Sequence, residues 1–178
     1  MDLKKYTKKE IILTALKSEI DAEKAYLELA KRVKNFLLAD RLKFLAQEEK
    51  KHAVFLKELF KGEFPGEQPK VPDESVIVLP EINIKDESIS MSELLEQAKA
   101  AEDAAATYYS SMISFFSEED QDQPVDENTR QRLENVRDHL LYLATMEVGH
   151  SRMLETEAEH AREKEHQNME WDMIHVGP

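Results

Sequence analysis

Six residues in this chain combine side-chain types and spacings suited to holding metal ions: Glu19, Glu49, His52, Glu102, Glu147 and His150. Glu49 with His52, and Glu147 with His150, form two Glu-x-x-His pairs. Residues three apart on a helix project from one face, so both members of each pair can reach one site. Carboxylates can bridge two cations, whereas a neutral imidazole supplies a terminal nitrogen. Four carboxylates match two divalent cations in formal charge, and two imidazoles add one nitrogen to each, so a dinuclear centre is the economical reading. Mixed oxygen and nitrogen ligation with open positions suits iron or manganese better than structural zinc, although affinity order alone leaves zinc open.

These residues need helices to position them. Thr7 followed by Glu10 has the pattern of a capping box and opens a helical run from about 8 to 33. Further runs span about 37–61, 92–117 (opened by Ser90 and Glu93) and 128 to the mid-160s. Alternating steps of three and four trace an inward seam on each. The first seam reads Ile12, Ala15, Glu19, Ala22, Tyr26, Leu29, Val33; the second reads Leu38, Leu42, Leu45, Glu49, His52, Leu56, Leu59. The third reads Leu95, Ala98, Glu102, Ala105, Tyr109, Met112, Phe116; the fourth reads Leu133, Val136, Leu140, Leu143, Glu147, His150, Leu154. Each apolar stripe is interrupted near its middle by a carboxylate, and in two of them by a histidine one turn later. Buried carboxylates are costly unless protonated, paired or metal-bound, and no Lys or Arg occupies the seams beside them.

The two halves repeat each other. Glu19, Ala22 and Tyr26 map onto Glu102, Ala105 and Tyr109 at one constant offset, and FLAQEEKKHAVFL around Glu49 matches YLATMEVGHSRML around Glu147. The expected fold is therefore all-α: a four-helix bundle of two helical hairpins about a pseudo-twofold axis, joined by a long crossover over 62–91. The bundle should occupy residues 1–166 as one domain, with 167–178 a tail packing on the bundle or on a neighbouring subunit. Within the crossover, VIVL at 76–79 is expected to be extended, lying across the bundle or pairing with another chain. Tyr26 and Tyr109 sit one layer along the seam, where they can pack or hydrogen-bond a ligand carboxylate. Glu157 with His160, and Glu163 with His166, repeat the Glu-x-x-His spacing but lack a matching carboxylate on an opposing helix, so both pairs are expected on a solvated face. Trp171 and His175 in the tail are assigned to packing.

Composition narrows the function. The 178 residues carry 24 Lys and Arg against 37 Asp and Glu, a net charge of −13, which disfavours nucleic acid and anionic membrane surfaces as partners. The absence of cysteine removes thiolate nucleophiles, iron–sulfur clusters and rubredoxin-type iron. No stretch approaches the roughly 18 apolar residues of a membrane span, and the first residues have no apolar run behind their charges, so a cytoplasmic protein is expected. The acidic stretch from Ser117 to Asn128 could attract ferrous iron but is more simply a solvated loop.

EIDAEKAY at 19–26, EEKKHA at 48–53, EDAAATYY at 102–109 and MEVGH at 146–150 resemble the ferritin-like di-iron carboxylate proteins, particularly the rubrerythrin branch. The resemblance implies two iron ions per chain, with Glu49 and Glu147 bridging, Glu19 and His52 completing one site, and Glu102 and His150 the other. It further implies reduction of hydrogen peroxide or dioxygen in oxidative-stress defence, or oxidation of ferrous iron, and a homodimeric assembly. Rubrerythrins also carry a rubredoxin centre, which a cysteine-free chain cannot form, so electrons would come from an external donor. The additional glutamate those proteins place one turn after the third-helix ligand is Ala105 here, and its mirror position is Ala22. The donor set thus has the six-residue ferritin form, which keeps ferroxidase chemistry open alongside a non-catalytic bundle used for protein interaction.

Overall fold

The computed structural model describes residues 1–119 and 126–175, with side chains described for 1–117 and 126–167. Four helices form it: α1 (Lys8–Arg32), α2 (Phe36–Glu63), α3 (Met91–Glu119) and α4 (Glu127–His175). Each starts at a side chain that satisfies otherwise orphaned backbone donors. Thr7 and Glu10 complete a reciprocal capping box on α1. Asn35 accepts from the Leu37 amide at 3.0 Å, Ser90 from Glu93 at 3.2 Å, and Asp126 from Thr129 at 2.7 Å.

Contacts at the bundle ends fix the topology. Lys8 pairs with Glu63 at 2.9 Å, and Arg132 pairs with Glu63, so α1 and α4 begin where α2 ends. Arg32 donates to the Ile84 carbonyl at 3.3 Å, which brings the end of the crossover to the far end of α1, where α3 begins. The crossover therefore runs the length of the bundle, and each helix is antiparallel to its two neighbours. α1 packs along α2 and α3 along α4, while α1 meets α3, and α2 meets α4, at far fewer points. The arrangement is an all-α, ferritin-like bundle of two hairpins.

Every seam position named above is buried except Ala22, Val33 and Val136, which are half-buried. The apolar interior splits into two clusters. One holds Ile12, Leu56, Phe60, Met112, Phe116 and Leu140; the other holds Leu29, Leu42, Leu45, Leu95, Ala98 and Leu154. The polar seam residues lie between these clusters.

Two expectations need correction, and for the crossover segment one of its two alternatives holds. Segment 76–79 forms no strand: Ile77 is buried in the first cluster and Leu79 packs partly against it, while Val78 is exposed, so the segment lies across the bundle. Helix α4 continues to His175 instead of ending in the mid-160s, because no Gly or Pro lies between Gly149 and Gly177 to stop it there. Glu157 is buried, not solvated, and pairs with Arg41 of α2, whereas His160, Glu163 and His166 are exposed as expected. The packing of the tail, the side chains of Trp171 and His175, and the centre of the acidic loop lie outside the described residues. No described helix is long and apolar enough to cross a membrane.

Candidate metal centre

α1 contributes Glu19, α2 Glu49 and His52, α3 Glu102, and α4 Glu147 and His150, and all six are at most 4% exposed. They form two four-residue groups, Glu19–Glu49–His52–Glu147 and Glu49–Glu102–Glu147–His150, within each of which the potential ligand atoms lie within 4.8 Å of one another. Glu49 and Glu147 belong to both.

Each imidazole turns Nδ1 toward three carboxylates. His52 Nδ1 is 2.9 Å from Glu147 Oε1, 3.1 Å from Glu49 Oε2 and 3.5 Å from Glu19 Oε2. His150 Nδ1 is 3.0 Å from Glu147 Oε2, 3.2 Å from Glu49 Oε1 and 3.6 Å from Glu102 Oε2. Glu49 and Glu147 thus each place one oxygen beside either histidine, while Glu19 addresses only His52 and Glu102 only His150. The two rings stack at 5.8 Å between centroids.

The remaining oxygens of the outer carboxylates are held from the opposite hairpin. Tyr26 of α1 donates to Glu102 Oε1, and Tyr109 of α3 donates to Glu19 Oε1. Both tyrosines are at most 1% exposed, and burial, followed by the neighbouring carboxylates, raises both phenols well above their ordinary range, so they stay protonated donors. The sequence leaves packing or a hydrogen bond to a seam carboxylate open for both; each forms the hydrogen bond, and its reach across to the other hairpin follows from the twofold relation signalled by the constant offset.

Electrostatics without a cation are strained. Burial, then the charges of neighbouring carboxylates, raises Glu19 and Glu102 well above the usual carboxylate range. Burial also opposes ionisation of Glu49 and Glu147, but hydrogen bonds with His150 and His52 prevail, lowering Glu49 and bringing Glu147 to about 2. Burial disfavours the imidazolium of His150, yet Glu102, Glu147 and Glu49 push it up to about 12, and His52 is raised by the equivalent set.

The residues fit divalent metal. One imidazole N–H cannot satisfy three carboxylate oxygens, and Glu49 Oε1 and Glu147 Oε1, although close to the Nδ1 atoms of His150 and His52, accept no well-directed hydrogen bond. A cation among the oxygens and Nδ1 in each group would serve the donors that a proton cannot. Glu157 with His160, and Glu163 with His166, form no such group among the described residues.

Fold and site together define a ferritin-like bundle with a buried carboxylate–histidine centre able to hold metal. The sequence pattern of the Rubrerythrin family matches residues 10–156, and the chain belongs to that family. It is similar to the solved structure of a hypothetical protein from Pyrococcus furiosus, with 29% identity over 89% of this chain and 92% of that one and a TM-score of 0.70. No curated protein matches the chain.

Proposed function

We propose that this protein is a di-iron oxidoreductase that reduces hydrogen peroxide or dioxygen with electrons from an external donor. The observation that carries this reading is the sharing of Glu49 and Glu147 between two donor groups, each completed by one histidine and one outer glutamate. Two iron ions held there would together supply the two electrons that, with two protons, convert one hydrogen peroxide to two waters.

The chain's own residues bind and orient. Glu49 and Glu147 would bridge, Glu19 and His52 would hold one ion, and Glu102 and His150 the other. Tyr109 and Tyr26 fix the outer carboxylates through their Oε1 atoms, leaving Oε2 directed at the histidine Nδ1. The apolar clusters on both sides exclude bulk water from this layer. With no cysteine in these 178 residues, the electrons would come from a separate protein or small molecule.

The deciding experiment is metal analysis of protein from iron-fed cells, followed by anaerobic reduction and titration with peroxide. About two irons per chain, reoxidised by one equivalent of peroxide, support the reading. Protein purified without metal contradicts it. Ferroxidation of iron destined for a store or partner is a second reading, favoured by Ala105 where a further carboxylate would stand. Faster reaction with dioxygen than with peroxide, and uptake beyond two irons, would support it.

A further inference from the structure

A cavity of about 590 Å³ lies between the helices and residues 73–85 of the crossover. Its helix wall is built from small side chains, Thr14, Ser18, Ala22 and Ala25 of α1 with Ala101 of α3. Ala22 follows Glu19 by one turn, and Ala101 immediately precedes Glu102, so the wall lies at the level of the buried carboxylates. The helices that flank it, α1 and α3, meet at far fewer points than the partners within either hairpin. The opposite seam, between α2 and α4, is occupied by bulk: Phe55 stacks on His139 at 5.0 Å, and Arg41–Glu157 and Arg132–Glu63 tie the helices together.

Charge selects what could pass. The lining carries Lys17, Lys24 and Lys85 against Asp21, Asp73, Glu74 and Glu81, nearly balanced, and Lys17 is already paired with Asp21. Inside, the crossover presents Ile77, Ile82 and Ile84 opposite the alanines. An ion moving past these apolar side chains would lose hydration that a nearly balanced set of lining charges does not replace, whereas a small uncharged molecule would lose less. Ser18 offers a hydroxyl that can hydrogen-bond an oxygen-containing guest.

We propose that this α1–α3 cavity beneath the crossover is the way in for the small uncharged oxidant, peroxide or dioxygen, and not for the metal ions. This deepens the oxidoreductase reading and rests on it for the identity of the guest. Its position does not depend on metal, and the test exploits that. Crystals of the metal-free full chain pressurised with xenon should show xenon in the cavity, and Ala22→Leu should abolish it. In iron-loaded protein the same substitution should slow oxidation by peroxide and by dioxygen by roughly tenfold or more, while the rate of ferrous loading stays unchanged. Ile84→Ala, which widens the crossover side, should not slow oxidation. If Ala22→Leu does not fold, Ser18→Leu blocks the same wall. Undiminished oxidation in a variant whose cavity is shown to be filled, or xenon reaching the centre only from the α2–α4 side, would overturn the proposal. Wild-type protein inert to both oxidants would instead overturn the oxidoreductase reading, and the xenon result would then decide whether the cavity is a passage.

Discussion

Tyr26 on α1 donates its phenolic proton to Glu102 on α3, and that hydrogen bond crosses between hairpins at the level of the buried carboxylates. Its mirror, Tyr109 to Glu19, makes the support of the two outer carboxylates reciprocal. Each tyrosine is thereby a positioning residue for a glutamate it does not share a helix with.

Replacing Tyr26 by Phe keeps the ring packing and removes only this donor. Glu102 Oε1 would lose its partner, and loss of such a supporting hydrogen bond to a metal ligand weakens metal binding by about 10- to 100-fold. Chelator competition should show this for Tyr26→Phe and equally for Tyr109→Phe. An affinity unchanged in both variants would mean that the outer carboxylates do not ligate.

The shared and unshared glutamates should behave differently. Glu49→Ala or Glu147→Ala removes a donor from both groups, so metal content should fall from about two per chain to near zero, with loss of the near-ultraviolet absorption of oxidised iron. Glu19→Ala or Glu102→Ala depletes only one group and should leave about one ion per chain. Equal losses in all four variants would contradict the division seen in the geometry.

Metal loading should expel protons. Despite burial, the surrounding carboxylates raise His150 to about 12 and raise His52 as well, while burial and neighbouring charge raise Glu19 and Glu102. Ligation needs neutral imidazole and ionised carboxylate, so binding at neutral pH should release the two imidazolium protons and any proton held by Glu19 or Glu102, about two to four per chain, and affinity should rise with pH. Calorimetry in buffers of different ionisation enthalpy measures this directly. For the metal-free fold, the raised His150 contributes stability that is fully present below its ordinary 6.5 and is lost as pH climbs through about 12. Glu147, lowered to about 2, contributes above its ordinary 4.5 and loses that contribution as pH falls through about 2.

Arg41 partners the buried Glu157 from a half-exposed position. Arg41→Ala strands that carboxylate, and with solvent screening the cost should be about 1–2 kcal/mol. Denaturant titration should show the loss while metal content stays unchanged. His160→Ala should alter neither.

Much of the site was legible because one regularity carries it: a three–four seam predicts which side chains point inward, and the repeat predicts that two such seams meet. That regularity alone brings Glu19, Glu49, His52, Glu102, Glu147 and His150 to one level of the bundle. The burial of Glu157 is not legible locally, because its partner, Arg41, is distant in sequence and belongs to another helix, a pairing that no local pattern encodes. The length of α4 is hidden because the apolar period fades before the helix stops at His175. Segment 76–79 has the composition of a strand, but only Ile77 finds a place in the interior.

The two hairpins interlock at their donor groups. Each hairpin carries three of the four donors in one group and must borrow the fourth: Glu147 enters the His52 group from α4, and Glu49 enters the His150 group from α2. A chain in which the halves have not yet met therefore owns no complete binding pocket for either ion. Docking must come before loading, and an occupied centre would act as a clasp that certifies the bundle as assembled.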